Sequence, residues 1–362
     1  MHVTGIDHVE FYVGDAAAAA AQLRAAYGFR ISGELGPETG LPGERSVLVR
    51  QRGIQLVLTT GLAPGHPATD YVARHGDGLA TIALAADDPD GMLMEAVAGG
   101  AVPLSPPGPL DDPPATGRVR IAGFGEVGHT FVAPGELAAR FAGARPVRGA
   151  AAHGAGDLDL LDAVDHVAAC VPAGELLPTV AFYERVLGFR QIFEEYIEVG
   201  GQAMNSKVVQ SRSSEVTLTL LEPDPDGLPG QIDDFLAAHA GAGVQHLAFR
   251  TDDIAAAVRA LSGRGVGFLS TPGSYYDELE RRLGRVGVPL AVLRELNVLV
   301  DRDNAGELFQ IFTQSTHPRR TFFIEVIERR DALTFGSANI KALYQAVERE
   351  RARTGPGAVV AR

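Results

Sequence analysis

The stretch AGVQHLAFRTDD, residues 242–253, has a near-copy earlier in the chain, DGLATIALAADD at residues 77–88. The two segments share a glycine, an alanine and a final Asp-Asp pair in register. The aligned position in the middle of each segment holds His246 in the later copy and Thr81 in the earlier one. Such self-similarity at a distance is the signature of an internal duplication, with a histidine added to one copy of a strand.

Further repeats on both sides extend the duplication over most of the chain. Gly28 and Gly188 stand where a helix would end with a left-handed cap, and alternating apolar residues around a turn predict hairpins. Each module therefore has the order strand, helix, strand, strand, strand, which is too rich in hairpins for a doubly wound parallel sheet. We predict an α+β fold in which paired βαβββ modules form curled, open-barrel sheets. The matched segments are GIDHVEFYVGD (5–15) with AVDHVAACVPA (163–173), Gly-Phe-Arg at 28–30 and 188–190, and the hairpins at 46–59 and 206–223.

The duplication divides the chain into two domains. The segment ARPVRGAAAHGAGDLDL, residues 144–160, is rich in Gly, Ala and Pro and lacks periodicity, which is typical of a linker. We therefore predict an N-terminal, non-catalytic domain over 1–143 and a C-terminal, catalytic domain over 161–362. The tail FGSANIKALYQAVERERARTG, residues 335–355, has apolar residues at helical spacing and no counterpart in the first half. We expect a C-terminal helix there, acting as a lid.

Composition favours a small-molecule enzyme of the cytoplasm. The 362 residues are 46% hydrophobic and 21% charged, which is typical of a globular protein. The net charge of −13 argues against a nucleic-acid partner, and no apolar run is long enough to span a membrane. No secretory signal opens the chain, and the single cysteine, Cys170, suits a reducing compartment.

Three polar residues interrupt predicted strands of the second half, and the first half matches only one of them. His166 aligns with His8, whereas His246 aligns with Thr81. Glu325 lies inside the apolar run of TFFIEVIERR, whereas the matching segment GHTFVAPGE has no carboxylate inside its apolar run. A buried carboxylate without a partner is costly, so Glu325 requires an Arg, a Lys or a metal ion.

A buried ion pair or a hydrogen-bonded core acid explains Glu325 alone as well as a metal site does, and a lone histidine such as His166 or His246 is more often a hydrogen-bonded core residue than a ligand. The combination of two histidines and one carboxylate in one half favours a metal site. This ligand set leaves three positions open on an octahedral metal, the arrangement of non-haem Fe(II) oxygenases, whereas zinc more often has a tetrahedral set. We predict Fe(II), with Mn and Zn as lesser alternatives.

The chain resembles the 4-hydroxyphenylpyruvate dioxygenase family, within the vicinal-oxygen-chelate superfamily, over nearly its full length. The resemblance implies iron bound by His166, His246 and Glu325, and a 2-oxo acid substrate that chelates the iron through its own keto acid. It also implies oxidative decarboxylation by O2. The motifs that carry the resemblance are DHVAACV, FYERVLGFRQIF, GAGVQHLAF, LFQIFT, FFIEVIER and FGSANIKALYQAVE.

The family contains two activities on one substrate: ring attack, which gives homogentisate, and benzylic hydroxylation, which gives 4-hydroxymandelate. The dioxygenases usually have Pro-x-Asn-Glu-Pro where this chain has TLLEP at 219–223, so Leu221 replaces an Asn amide. They typically have Gly-Asn-Phe where residues 338–340 are Ala-Asn-Ile, so Ile340 replaces an aromatic ring. Both departures favour 4-hydroxymandelate and CO2 as products, made for hydroxyphenylglycine in nonribosomal peptide antibiotics. The resemblance further implies that substrate is bound by Ser206, Thr219, Leu221, Gln310, Phe335 and Ile340.

Three alternatives stay open at this point. The first is the homogentisate-forming dioxygenase of tyrosine catabolism, which uses the same substrate. The second is an extradiol ring-cleaving dioxygenase, which has the same ligand types but consumes a catechol. The third is a non-catalytic binding module of the same fold. Because the first half lacks the full ligand set, we expect it to serve packing and assembly, and we expect a homodimer.

Overall fold

The computed structural model describes residues 2–104, 120–145 and 158–333, together with Gly336, Asn339 and Lys341. Its first half contains eight strands and four α-helices within these ranges, and a short 3-10 turn at Pro37–Thr39. The elements in order are β1 (Gly5–Tyr12), α1 (Ala16–Tyr27), β2 (Arg30–Leu35), β3 (Glu44–Gln51), β4 (Ile54–Gly61), α2 (Pro67–His75), β5 (Gly78–Ala85), α3 (Pro89–Ala98), β6 (Pro103–Leu104), β7 (Arg120–Phe124), β8 (Val127–Val132) and α4 (Glu136–Arg140).

The described part of the second half repeats this order as far as its last strand, adds two helices and has no counterpart of α4. The elements are β9 (Ala163–Cys170), α5 (Leu176–Leu187), β10 (Arg190–Val199), β11 (Gln202–Gln210), β12 (Thr217–Pro223), α6 (Gln231–His239), β13 (Gly243–Arg250), α7 (Ile254–Gly263), α8 (Gly273–Leu283), α9 (Leu290–Leu296), β14 (Leu299–Arg302), β15 (Glu307–Phe312) and β16 (Phe323–Arg330). None of the helices in the described ranges is long and apolar enough to cross a membrane.

Each half forms one eight-stranded mixed sheet, and the two sheets have the same topology. The first has the order β2-β3-β4-β1-β5-β8-β7-β6, and the second has β10-β11-β12-β9-β13-β16-β15-β14. In each sheet the two modules meet at an antiparallel pair, β1 with β5 and β9 with β13, and the next neighbours outward are parallel. The predicted α+β architecture of paired βαβββ modules is confirmed.

The repeated sequence signals form the predicted local structures. Helix α1 ends at Gly28, with φ 78°, and α5 ends at Gly188, with φ 66°, in the left-handed region that glycine adopts at low cost. The second Asp of each repeated Asp-Asp pair is a helix N-cap. The Asp88 carboxylate accepts from the Gly91 amide at 3.0 Å, and the Asp253 carboxylate accepts from the Ala256 amide at 2.9 Å. The repeated Asp-Asp is therefore a folding signal that starts α3 and α7.

Two parts of the sequence interpretation need comment. Helices α8 and α9 occupy a stretch for which the repeat predicts no element, because the first half has no matching segment there. Of the predicted tail helix over 335–355, only Gly336, Asn339 and Lys341 fall within the described residues. At the edges of the predicted linker, Arg145 pairs with Glu34 as an isolated bridge, and Leu158 packs against the main core.

Candidate metal centre

Three neighbouring strands of the second sheet place His166, His246 and Glu325 on one face. Ala248 in β13 pairs with His166 of β9 on one side and with Glu325 of β16 on the other. His246 precedes Ala248 by two residues and so shares its face of the strand. Side chains from three strands therefore converge over one point of the sheet, which no local sequence motif could show.

The three side chains are buried and close enough to share one ion. The Oε2 atom of Glu325 lies 3.2 Å from Nε2 of His166 and 3.5 Å from Nε2 of His246. Their ligand atoms all lie within 4.8 Å of one another, and this is the one such group of three within the described ranges. Exposure is 3% for His166, 6% for His246 and 1% for Glu325. Two imidazole nitrogens and a carboxylate form a donor set that suits a divalent transition metal and leaves coordination positions open.

The orientation of His166 is fixed by an ion pair behind it. Its Nδ1 lies 2.9 Å from the Asp165 carboxylate, so Nδ1 carries the proton and Nε2 points toward Glu325. Arg329 donates to both oxygens of Asp165, at 2.7 and 2.9 Å. Burial alone would raise the pKa of Asp165, but the bonds from His166 and Arg329 hold that pKa well below its usual range. A permanent carboxylate behind a ligating imidazole increases its basicity.

The other two residues are held by different contacts. The ring of His246 stacks on Phe323 with centroids 4.8 Å apart, and its Nδ1 lies 3.3 Å from the side-chain oxygen of Gln245. Gln310 donates from Nε2 to Oε1 of Glu325 at 2.8 Å. This bond occupies the carboxylate oxygen that faces away from the histidines, which leaves Oε2 for a metal ion.

A hydrogen-bonded chain continues from Gln310 into the C-terminal segment. Asn339 is fully buried and donates from Nδ2 to Oε1 of Gln310 at 2.8 Å, and the Tyr275 hydroxyl donates to Oδ1 of Asn339 at 2.9 Å. Gly336, with φ 68°, lies so close that a Cβ there would stand 3.1 Å from Oε1 of Gln310. The docking of the C-terminal turn and the orientation of Glu325 are therefore physically linked.

The charges of the three candidate ligands favour a positive charge between them. Burial disfavours the imidazolium of His166, but Glu325 and Asp165 outweigh this and raise the pKa of His166 to about 9. Burial alone would raise the pKa of Glu325, whereas the two histidines lower it to about 2. The pKa of His246 is lowered, mainly by burial. A buried anion that already recruits one positive charge fits a metal cation, which would displace the proton on His166.

The first half has the same backbone register without the ligand set. His8 pairs with Ala83, and Ala83 pairs with Thr130, as His166, Ala248 and Glu325 do in the second half. Even the supporting carboxylate is repeated, since Asp7 lies 2.6 Å from Nδ1 of His8. With Thr81 and Thr130 in place of His246 and Glu325, this half offers one imidazole and two hydroxyls.

The structure describes four of the six predicted substrate residues. Ser206 of β11 pairs with Leu221 of β12, and Thr219 lies two residues before Leu221 on the same face. Both hydroxyls are buried, and neither has a hydrogen-bond partner within the part of the chain that the structure describes. Gln310 uses both ends of its amide within the protein, so its contact with substrate stays a prediction. Phe335 and Ile340 lie outside the described residues.

Leu221 belongs to an apolar cluster next to these hydroxyls. Helix α6 contributes two of its members, so the helix closes this end of the curled sheet. The cluster consists of Cys170, Ile197, Met204, Leu221, Ile232 and Phe235. Leu221 therefore lies where the buried hydroxyls of Ser206 and Thr219 meet apolar side chains.

Four supporting residues escaped the sequence analysis: Asp165, Arg329, Asn339 and Phe323. One signal was available, because Asp-His occurs at both repeated openings, as Asp7-His8 and Asp165-His166. The others depend on pairings between distant strands and the C-terminal turn.

The fold and the site together define a class of proteins. The family described as the Glyoxalase/Bleomycin resistance protein/Dioxygenase superfamily matches residues 163–281. The 4-hydroxyphenylpyruvate dioxygenase of Neurospora crassa is 32% identical over 384 residues, covering 97% of this chain and 92% of the relative. The chain belongs to the 4-hydroxyphenylpyruvate dioxygenase family, and the resemblance inferred from the motifs is confirmed.

The chain is also similar to solved structures, one of them from the same family. A mutant of 4-hydroxymandelate synthase from Streptomyces coelicolor is 41% identical, with a TM-score of 0.82, covering 96% of this chain and 99% of that one. A halotolerant catechol dioxygenase is 12% identical, with a TM-score of 0.50 over 92% of this chain and 89% of that one. This last similarity concerns the fold alone.

Proposed function

We propose that this protein is a 4-hydroxymandelate synthase that converts 4-hydroxyphenylpyruvate and O2 to 4-hydroxymandelate and CO2. The observation that carries the proposal is Leu221, an apolar residue 6% exposed, paired with Ser206 where the ring-attacking relatives are expected to have an Asn amide. The 41% identity to a synthase structure, against 32% to the Neurospora dioxygenase, supports it. In this proposal the product is a precursor of hydroxyphenylglycine for peptide antibiotics.

The proposal assigns Fe(II) to His166, His246 and Glu325. Bound there, iron supplies Lewis acidity toward the keto acid and a binding position for O2. Asp165 keeps the proton of His166 on Nδ1, which leaves the Nε2 lone pair free. Gln310 holds one oxygen of Glu325 and directs the other toward the histidines.

In this proposal, side chains near the metal centre orient the substrate. The unpartnered hydroxyls of Ser206 and Thr219 are available as donors to the polar groups of the oxo acid. Leu221 offers no hydrogen bond and packs against the ring, so the aromatic carbons are held by shape alone. The product depends on which carbon of the substrate lies nearest the reacting oxygen. A small change in the orientation of the ring therefore decides between benzylic and ring hydroxylation.

Product analysis tests the proposal directly. The purified protein is incubated with 4-hydroxyphenylpyruvate, Fe(II) and ascorbate, and the products are separated by chromatography. We expect 4-hydroxymandelate as the main product. Homogentisate as the main product would overturn the proposal in favour of the ring-attacking dioxygenase, whose relatives at 31–32% identity favour that alternative. Turnover of a catechol without any oxo acid would favour an extradiol enzyme.

Two substitutions test whether Leu221 and Ile340 determine which carbon of the substrate is hydroxylated. Leu221→Asn restores the amide of the dioxygenase pattern, and Ile340→Phe restores the ring; we expect both to increase the fraction of homogentisate. Leu218→Met is a matched control, because Leu218 lies on the opposite face of β12 in the main core. An unchanged product ratio in both variants would remove these positions from the explanation.

A further inference from the structure

Three side-chain hydrogen bonds connect Glu325 to helix α8, which has no counterpart in the described part of the first half. Gln310 donates to Glu325 at 2.8 Å. Asn339 donates to Gln310 at 2.8 Å, and Tyr275 of α8 donates to Asn339 at 2.9 Å. We call these four side chains the amide relay. Gln310 is 3% exposed and Asn339 is 0% exposed, so both amides depend on partners within the protein.

The hydroxyl at the outer end of the amide relay can act only as a donor toward Asn339. The oxygen of Tyr275 accepts from the backbone amide of Val300 at 2.9 Å and from Nη2 of Arg282 at 3.3 Å. What remains to it is its single hydrogen, which lies within reach of the Val300 carbonyl at 2.8 Å and of Asn339. Arg282 also donates to that carbonyl, at 3.2 Å, which leaves the hydrogen available for Asn339.

This donor determines how both amides are turned. Asn339 presents its oxygen to Tyr275, and its Nδ2 therefore faces Gln310. Gln310 in turn presents its oxygen to Asn339 and its Nε2 to Glu325. With both amides reversed, the Gln310 oxygen would face the Glu325 carboxylate, and two buried acceptors would meet with no hydrogen between them. The direction of every bond in the amide relay thus follows from the hydroxyl of Tyr275.

We propose that Tyr275 is a positioning residue for the metal centre, because its hydroxyl makes Gln310 a donor to Oε1 of Glu325 and so leaves Oε2 free for the metal ion; this rests on the proposed function only in requiring a metal ion at that carboxylate. Tyr275 touches no candidate ligand itself and acts through two amides. The same hydroxyl holds Asn339, whose backbone amide donates to the Gly336 carbonyl at 2.8 Å. The orientation of Glu325 and the docking of the C-terminal turn therefore share one anchor on α8.

A pair of neighbouring tyrosines provides the test and its control. Tyr275→Phe removes one oxygen and keeps the ring, whereas Tyr276→Phe removes a hydroxyl of the same helix that donates to the Val298 carbonyl at 3.1 Å. The dissociation constant for Co(II) is measured by competition with a chelator, and the visible spectrum of the Co(II) protein reports the ligand geometry. We expect Tyr275→Phe to raise that constant roughly three- to tenfold, as for one lost hydrogen bond, and to shift the spectrum. Tyr276→Phe should change neither.

A double-mutant cycle tests whether Tyr275 acts through Asn339. In an Asn339→Ala background, Tyr275→Phe should cause no further loss of Co(II) affinity, because the amide that it directs is already gone. Arg282→Met, at an exposed position, should weaken Co(II) binding in the same direction, because the Val300 carbonyl then competes for the hydrogen of Tyr275.

Three results would overturn the positioning role of Tyr275. They are a dissociation constant for Tyr275→Phe within about twofold of the wild type with the same spectrum, an equal loss in Tyr276→Phe, and additive losses in the double-mutant cycle. Absence of Co(II) binding by the wild-type protein would instead refute the proposed metal site, and the role of Tyr275 with it.

Discussion

Asp165→Asn should weaken metal binding without changing any ligand. The substitution keeps the volume of the side chain but removes the charge that Nδ1 of His166 and the guanidinium of Arg329 share at 2.7–2.9 Å. Replacing such a partner of a ligating imidazole typically costs roughly 10–100-fold in affinity, or about 1.4–2.8 kcal/mol. Because the Asp165 side chain is only 8% exposed, solvent screens the lost charge poorly, and we expect the upper part of that range.

The assay is a competition between the protein and a chelator for Fe(II) or Co(II) under anaerobic conditions. The chain carries its own control, since Asp7→Asn removes the same carboxylate behind His8 in a half that lacks the other ligands. We expect Asp7→Asn to leave the dissociation constant unchanged. A dissociation constant for Asp165→Asn within about threefold of the wild type, or an equal loss in both variants, would refute the assigned role of the ion pair.

Three further outcomes follow from the geometry. Gln310→Ala should raise the metal dissociation constant, because Glu325 loses its 2.8 Å bond, and the loss is measured in the same chelator competition. Loading metal to 100 times its dissociation constant should stabilise the fold by about 2.7 kcal/mol, seen by calorimetry as a higher Tm that a chelator reverses. Burial lowers the pKa of His129 to about 4, so the fold is most stable above pH 6.5, where this histidine is neutral in both the folded and the unfolded chain. By pH 4.5 the free energy of unfolding should fall by about 2–3 kcal/mol, because the unfolded chain binds the proton more readily. Urea unfolding of His129→Gln should show a flatter pH profile.

The fold could be predicted from sequence because duplication supplies each signal twice. A lone Gly28 is a weak indication of a helix end, but the matching Gly188 in the second half makes the prediction firm for both helices. Helices α8 and α9 have no second copy in the first half, so duplication gives no signal for them, although Tyr276, Leu279 and Leu283 of α8 recur at helical spacing. Repetition thus determined which elements could be predicted.

The same comparison located the metal centre through a difference between the halves. His246 and Glu325 stand out because Thr81 and Thr130 show what the strands require for folding alone. The contacts that hold the ligands could not be found in this way. Arg329 lies within the charged run at 328–331, which is typical of an exposed strand end. Only the pairing of β16 with β13, and of β13 with β9, brings Arg329 to Asp165.

The repeated register separates what the strands require from what the candidate site adds. The halves differ by two side chains at three corresponding positions, while the imidazole and the carboxylate behind it are present in both. Thr81 and Thr130 stand in regularly paired strands, and threonine is well suited to a β-sheet. The first half also shares one hydrophobic core with the second half, so the second half depends on it for packing whether or not it binds a metal ion.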